Sequence, residues 1–225
     1  MSDLFLEIAC FNTPSALLAE RAGASRIELC SNKNLDGLTP NFEEFEEIRK
    51  LLNTKIHIMI RPKGGNFIYS SEEFERMKSD LIRFKELGAD GFVFGCLDEQ
   101  GEINLTQNQK LIELAGGLPC TFHKAFDVCI NQSKSLKELI ELGFSEVLTS
   151  GGKDTAMEGI KQLVLLNEIA SNKIKILIGG SVRANNIKHI SHLTSINRFH
   201  SSAILDGGET ANYEEIDALL NCKAE

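Results

Sequence analysis

The chain has 225 residues and a formal charge of −8, from 24 Lys and Arg against 32 Asp and Glu. The basic residues are scattered and leave no surplus to neutralise phosphates, which argues against nucleic acid as a main partner. No apolar stretch approaches the roughly 20 residues that cross a bilayer, and no secretory signal is visible, so we expect no membrane partner. The six cysteines form no C-x-x-C pair, and we therefore expect reduced thiols in a cytoplasmic protein.

Short apolar runs alternate with amphipathic patterns eight times along the chain, at intervals of about 22 to 35 residues. The predicted strands are residues 4–9, 26–30, 56–61, 91–95, 120–123, 146–149, 174–178 and 196–200. The predicted helices are residues 14–22, 42–52, 71–87, 107–115, 135–142, 156–170, 184–193 and 213–220.

Eight strand–helix units predict a TIM (β/α)8 barrel. No Ser/Gly-rich linker divides the sequence, so we expect residues 1–225 to form a single domain. A doubly wound open sheet is the alternative, but it would carry a glycine-rich dinucleotide turn after its first strand. Residues 9–12, Ala-Cys-Phe-Asn, contain no glycine, and the barrel is therefore favoured.

Ionisable residues interrupt these apolar strands, where they are rarely buried unless they are paired or used. Because successive side chains of a strand point to opposite faces, the apolar residues should pack on the helices and the polar ones should face the barrel axis. This parity predicts one interior cluster near the end of the barrel where active sites lie, although a buried ion-pair network that only specifies packing is the alternative. Its members are Glu7, Arg26, Glu28, His57, Arg61, His123, Arg198 and His200.

Three loops at the same end of the barrel are candidates for binding an anion. Residues 61–70 form a long, basic, glycine-rich loop in which Arg61 would clamp an anionic group, unless this is an ordinary solvated loop. Paired glycines follow the sixth and seventh strands, where bare N–H groups at a helix start bind phosphate or carboxylate, although tight turns would explain the same glycines. The candidate residues are Ser150, Gly151 and Gly152 after the sixth strand, and Gly179, Gly180 and Arg183 after the seventh.

His123 and Asp127 lie four residues apart where the fifth strand ends. They are candidates for a general acid–base pair, or for orienting a metal ligand. The alternative is that Asp127 caps the next helix or turn. Lys175 is the only lysine predicted to face inward, so aldolase-type Schiff-base chemistry has little support.

A series of motifs keeps a fixed order along the chain: RIELC at 26–30, GLTP at 37–40, HIMIRP at 57–62, TFH at 121–123, AFD at 125–127, LTSGG at 148–152 and FH at 199–200. Together they resemble the CutC family, named for copper homeostasis, over about residues 4–202. The resemblance implies a cytosolic TIM barrel that forms a homodimer or higher homo-oligomer and binds copper ion. The sequence departs from the family pattern at Lys124 and Ser181. It also carries Lys63, Asn66 and Ile68 in the loop after the third strand, where the pattern often has a cysteine.

Copper in the cytosol is Cu(I), which binds thiolate and thioether ligands. Among the strand cysteines, Cys30 is predicted to face the interior, whereas Cys10 and Cys120 share the parity of apolar residues. Cys30 is therefore the candidate copper ligand, with Met59 as a neighbouring soft donor.

Hard and polar groups dominate the predicted interior instead. They suggest an enzyme that acts on a small anionic substrate, phosphorylated substrates included, by acid–base or metal-assisted chemistry. Another divalent metal, held by Glu7, Glu28 and a histidine, is a further hypothesis. A copper-handling protein and a scaffold with a decayed site are the competing hypotheses. The catalytic candidates are Glu7, Glu28, His57, His123, Asp127 and His200.

Overall fold

Eight parallel strands follow one another in chain order around a closed barrel, in a computed structural model that describes residues 4–205 and 207–222. The strands are β1 (Phe5–Cys10), β2 (Arg26–Leu29), β3 (Ile56–Met59), β4 (Gly91–Phe94), β5 (Cys120–Phe122), β6 (Glu146–Thr149), β7 (Lys175–Ile178) and β8 (Arg198–Ser201). Pairing of β8 with β1 closes the barrel, so the predicted TIM-barrel fold is confirmed.

Each strand is followed by a helix on the outside of the barrel. In the described residues these are α1 (Thr13–Ala22), α2 (Phe42–Leu51), α3 (Ser71–Glu86), α4 (Leu105–Ala115), α5 (Gln132–Leu142), α6 (Ile160–Ala170), α7 (Ile187–Thr194) and α8 (Tyr213–Asn221). None of them is long and apolar enough to cross a membrane.

Asparagine side chains begin most of these helices. Each accepts a hydrogen bond from the backbone N–H three residues later, which satisfies a donor that the helix itself leaves free. Ser70 begins α3 in the same way and forms a capping box with Glu73. The asparagines are Asn12, Asn41, Asn104, Asn131 and Asn212, before α1, α2, α4, α5 and α8.

Two helices begin later than their sequence patterns predict, α6 at residue 160 and α7 at residue 187. The N–H of Ala156 donates instead to the carbonyl oxygen of Gly180 at 2.9 Å. The side chain of Asn186 accepts from the N–H of Arg183 at 2.9 Å. These bonds tie the segments after β6 and β7 to one another and to the top of the barrel, so the first predicted turn of each helix becomes part of a loop.

The predicted alternation of side chains divides the core into two layers. The outer layer, between strands and helices, is apolar and includes Leu6, Ile8, Ile58 and Phe122. Four cysteines, at positions 10, 96, 120 and 129, also belong to this layer. The polar residues of the strands face the barrel axis, where buried charged groups contact one another. Parity therefore predicts correctly which face of the strands is apolar and which is polar.

Candidate functional site

Buried ion pairs fill the part of the barrel interior nearer the N-terminal ends of the strands. Nε of Arg26 lies 2.5 Å from Oε2 of Glu7. Nη2 of Arg26 forms an ion pair with Glu146, and Arg198 forms a second ion pair with the same carboxylate. Both guanidinium groups lie over the ring of Phe5, at 4.9 and 3.6 Å from its centroid. Two arginines thus balance two carboxylates, which matches the alternative of a network that specifies packing.

Two residues at the starts of strands differ from their sequence interpretation. Glu146 was not among the candidates, yet it is 4% exposed and bridges two arginines. Glu146 lies two residues before Leu148, which is on the inner face, and strand parity therefore predicts that Glu146 also faces the barrel axis. Lys175 was expected to face inward, but it is exposed at the start of β7 and does not line the cavity described below. Strand ends reach solvent, where a long lysine side chain keeps its charge hydrated.

Glu28 and His200 face each other above this network. Nε2 of His200 lies 3.9 Å from Oε2 of Glu28, and Nδ1 of the same ring lies 2.8 Å from Oε1 of Glu7. Glu28 is 3% exposed, and its Oε1 has no hydrogen-bond partner among the described residues. The imidazole of His200 therefore lies between two acidic groups. Glu7 forms an ion pair with Arg26, whereas one oxygen of Glu28 has no hydrogen-bond partner in the described residues.

The protonation of these groups follows from their surroundings. Burial raises the pKa of Glu28 to about 7, because the nearby positive charges of His200 and Arg26 only partly offset the loss of solvation. Burial alone would lower the pKa of His200, but the Glu28 and Glu7 carboxylates outweigh it and raise that pKa. Burial would also raise the pKa of Glu7, yet Arg26 and the hydrogen bond from His200 hold it well below the usual range. Glu28, which titrates near neutrality, and His200, whose pKa is raised, thus lie beside the Glu7 carboxylate, which stays ionised.

Two further imidazoles pack against glycines at the ends of β4. A Cβ on Gly91 would approach Nε2 of His57 to 2.4 Å, and a Cβ on Gly95 would approach Nδ1 of His123 to 2.7 Å. Burial and nearby arginines lower both pKa values to about 3, so both rings are neutral at pH 7. Nδ1 of His123 accepts from the N–H of Ala125 at 3.3 Å, whereas Nδ1 of His57 and Nε2 of His123 lack partners in the described residues.

A cavity of about 970 Å³ opens at the C-terminal end of the barrel. His200 and Glu28 line it together with three lysines, at positions 33, 124 and 153. Of the predicted residues it also brings together Cys30, Arg61, His123, Asp127, Gly152, Gly180 and Arg183. Glu7, His57, Ser150, Gly151 and Gly179 lie outside its lining.

Asp127 holds the turn after β6. Its carboxylate accepts from the N–H of Ser150 at 3.1 Å, from the N–H of Gly152 at 2.9 Å and from the hydroxyl of Thr149. The N–H of Gly151 donates to the Thr149 hydroxyl at 2.9 Å. All three amides of this predicted anion site thus have acceptors within the chain. The alternative, that Asp127 caps a turn, describes the structure, and Asp127 is not placed as the partner of a histidine.

Arg61 braces the loop after β3. Its Nη1 donates to the carbonyl oxygens of Leu35 at 2.6 Å and Gly37 at 3.1 Å, and its Nη2 donates to that of Gly65 at 3.1 Å. The guanidinium also lies 4.8 Å from the ring centroid of Phe67. Both terminal nitrogens of the predicted clamp are therefore turned towards the chain itself, and the side chain borders the cavity without reaching across it.

The turn after β7 lines the cavity through Gly180, Ser181 and Val182. The N–H groups of Gly180, Ser181 and Val182 donate to no acceptor in the described part of the chain. Ser181 adopts a left-handed conformation with φ 54, which only a few per cent of residues other than glycine adopt. Arg183 lines the cavity, but its Nη1 donates to the hydroxyl of Ser201 at 3.0 Å and its Nη2 donates to the carbonyl oxygen of Ile204 at 3.1 Å. Of the two predicted glycine turns, this one retains the donors that an anion needs.

Comparison with known proteins agrees with these motifs. The family model described as CutC family matches residues 4–205. The chain belongs to the CutC family. A family protein CutC from Proteus mirabilis is 40% identical over 220 residues, which are 98% of this chain and 87% of that protein. One from Bacteroides thetaiotaomicron is 43% identical over 198 residues, which are 88% of this chain and 80% of that protein.

Solved structures support the same fold. A crystal structure named for the copper homeostasis protein CutC from Streptococcus agalactiae has a TM-score of 0.85 and 34% identity, covering 88% of this chain and 98% of that one. Thiamine phosphate pyrophosphorylase from Pyrococcus furiosus has a TM-score of 0.65 at 14% identity, covering 97% and 95% of the two chains, which shows the barrel fold alone.

The donors around Cys30 do not fit Cu(I), the copper ion that the family name suggests as a ligand. Cu(I) prefers several thiolate or thioether ligands, and a thiolate requires a thiol that loses its proton. Burial raises the pKa of Cys30 well above its usual value, and the Glu28 carboxylate raises it further. Met59 is the neighbouring soft group, and the buried cysteines of the outer layer lie on the other side of the strands. One protonated thiol and one thioether make a poor copper site.

The candidate ligands for a hard divalent ion already have partners within the protein. Glu7, Glu28 and His200 each offer an atom within 4.8 Å of the others. However, both carboxylate oxygens of Glu7 are already used, by Arg26 at 2.5 Å and by His200 at 2.8 Å. The guanidinium also places a positive charge beside the position that a cation would take. The arrangement favours proton transfer over cation binding.

Proposed function

We propose that this CutC-family protein is an enzyme that transfers a proton to or from a small anionic substrate. The observation that carries the proposal is the pairing of His200 with Glu28 in the lining of the cavity, at 3.9 Å. General acid–base catalysis is most effective when the catalytic pKa lies near the working pH. The pKa of Glu28, raised to about 7, meets this condition.

The cavity supports an anion as the substrate. Its basic side chains supply positive charge that attracts an anion, although acidic side chains line the cavity beside them. The basic residues are Lys33, Lys124, Lys153 and Arg183, and the aspartates are Asp36, Asp127 and Asp154. The backbone N–H groups of Gly180, Ser181 and Val182 supply further donors, and we place the charged group of the substrate at this turn. The equivalent turn after β6 already holds a carboxylate of the chain itself. Phosphorylated compounds and dicarboxylates are the substrate classes that this chemistry suits.

Within this proposal the polar side chains have different tasks. His200 and Glu28 exchange the proton with the substrate. His123 also lines the cavity and contributes a neutral imidazole, whereas the neutral ring of His57 is buried outside the lining. Arg61 and Asp127 keep the surrounding loops in place through their hydrogen bonds to the backbone.

Copper ion binding is the second candidate, because the family name relates the family to copper homeostasis. Its supporting observation is that Cys30 and Met59 both line the cavity. Because Cys30 and Met59 make a poor copper site, we prefer the enzyme proposal to copper binding. A cytoplasmic location and a homodimer or larger homo-oligomer, both implied by the resemblance, stay predictions.

Solvent deuterium exchange tests the enzyme directly. Sugar phosphates and dicarboxylates are first screened by thermal shift, and those that stabilise the protein are incubated with it in D₂O and followed by ¹H NMR. We expect loss of a carbon-bound proton signal that depends on wild-type protein. Glu28→Gln should abolish the exchange but keep the thermal shift, whereas Glu46→Gln, on the exposed face of α2, should leave both unchanged. Exchange that Glu28→Gln leaves intact, or no exchange with any stabilising compound, would overturn the proposal.

A further inference from the structure

Glu7 is placed where it cannot meet a substrate. It is 0% exposed, it lies outside the cavity lining, and the ring of His200 stands beside it. Its Oε2 accepts from Nε of Arg26 at 2.5 Å, and its Oε1 faces Nδ1 of His200 at 2.8 Å. The sequence made Glu7 a catalytic candidate, so its place under the site needs a different explanation.

The charge of Glu7 determines which nitrogen of His200 carries a hydrogen. Arg26 keeps this carboxyl group ionised, and an ionised carboxylate only accepts hydrogen bonds. The contact at 2.8 Å therefore requires a hydrogen on Nδ1 of His200. The other nitrogen, Nε2, is then the atom that gains and loses a proton, and it points to Glu28.

We propose that Glu7 is a positioning residue that fixes His200 in the Nδ1–H tautomer and presents Nε2 to Glu28 and the cavity. Arg26 forms an ion pair with Glu7 and also contacts Glu146. A continuous series of contacts therefore links the buried ion pairs to His200 and Glu28. Nε2 lies 3.9 Å from Oε2 of Glu28, and both residues line the cavity, so either group is placed to exchange a proton with a bound substrate. This use of the proton rests on the proposed function, whereas the tautomer itself does not.

The variant Glu7→Gln tests the tautomer because its amide group has two different ends. The oxygen must face Nε–H of Arg26, which only donates, so the NH₂ group turns towards His200. An NH₂ group needs an acceptor, and Nδ1 can serve only without its hydrogen. Glu7→Gln should therefore move the hydrogen to Nε2 and reverse the tautomer.

Long-range ¹H–¹⁵N NMR spectra of the full chain measure this, because they separate protonated from unprotonated ring nitrogens. The chain has five histidines, and His200→Asn assigns the relevant signals. In the neutral ring of the wild type we expect Nδ1 protonated and Nε2 unprotonated, with the reverse in Glu7→Gln and no change in Glu46→Gln. A purely structural role for Glu7 would lower stability and leave the tautomer as it is.

The wild-type spectrum alone decides the main point if Glu7→Gln does not fold. A neutral His200 with its hydrogen on Nε2 would overturn the inference, and so would a folded Glu7→Gln variant with an unchanged tautomer. Failure of the deuterium exchange beside an Nδ1–H tautomer would overturn the proposed function and support the positioning of His200 by Glu7. The two failures are therefore distinguishable.

Discussion

Replacing Glu28 by glutamine keeps the shape of a buried side chain and removes its titration. Glu28 is 3% exposed and lies beside Glu7, Arg26 and His200, with His57 on the adjacent strand. The ionised form is disfavoured in the folded chain, because burial removes water from the carboxylate and Glu7 adds a like charge. We expect Glu28→Gln to stabilise the protein increasingly as the pH rises.

The magnitude follows from the shift of the pKa from 4.5 to about 7. A folded pKa above the unfolded one contributes stability that is fully present below about pH 4.5 and is lost as the pH rises through about 7. Each pKa unit is worth about 1.4 kcal/mol, so the wild type should lose about 3 kcal/mol across this window relative to Glu28→Gln. The raised pKa of His200 acts in the same direction.

Urea denaturation at several values between about pH 5 and pH 8 gives the free energy of unfolding of both proteins. The difference between them cancels His57 and His123, whose low pKa values make stability rise with pH in both proteins. It reports Glu28 together with the part of the His200 shift that the Glu28 carboxylate causes, and both act in the same direction. Glu46→Gln is the control for removing an exposed carboxylate. A difference that stays constant across this range would refute the raised pKa and, with it, the role of Glu28 as an acid–base group.

Three further changes have defined outcomes. Gly91→Ala places a methyl group 2.4 Å from Nε2 of His57, and we expect a loss of about 1–3 kcal/mol in unfolding free energy. Adding His57→Ala should cost less than the sum of both changes, whereas strict additivity would contradict the clash. Asp127→Asn weakens the acceptor of the β6 turn, so hydrogen exchange of its amides should accelerate; unchanged exchange would contradict this. In Cu(I) competition, we expect neither wild type nor Cys30→Ser to outcompete glutathione. Stoichiometric binding lost in Cys30→Ser would restore the copper hypothesis.

The sequence predicted most of the fold because a (β/α)8 barrel repeats one local pattern. The alternation of short apolar runs with amphipathic patterns is a local signal, and each predicted strand overlaps an observed one. The predicted starts of α6 and α7 were wrong because contacts between neighbouring turns, such as Ala156 with Gly180, override helix propensity. Such contacts join residues distant in the chain and leave no local pattern.

The same division applies to the site. Parity placed Glu28, His123 and His200 at the barrel axis, because a strand must send alternate side chains to opposite faces. Parity does not predict how far along the barrel axis a side chain lies. The sequence analysis therefore grouped Glu7 and His57, which lie outside the cavity lining, with residues that line the cavity. It also did not indicate that Glu146 joins the ion pairs below.

By itself, the sequence determined the barrel, its polar interior, the membership of the CutC family and the outward position of most cysteines. Only the tertiary structure decided which polar groups satisfy one another: Asp127 fills the β6 turn, Arg61 faces backbone carbonyls, and Arg26 holds Glu7. The physical reason is that a buried charge must find a partner, and that partner is chosen by distance across the barrel. His200 and Glu28 are incompletely paired and also line the cavity, and we therefore expect the chemistry there.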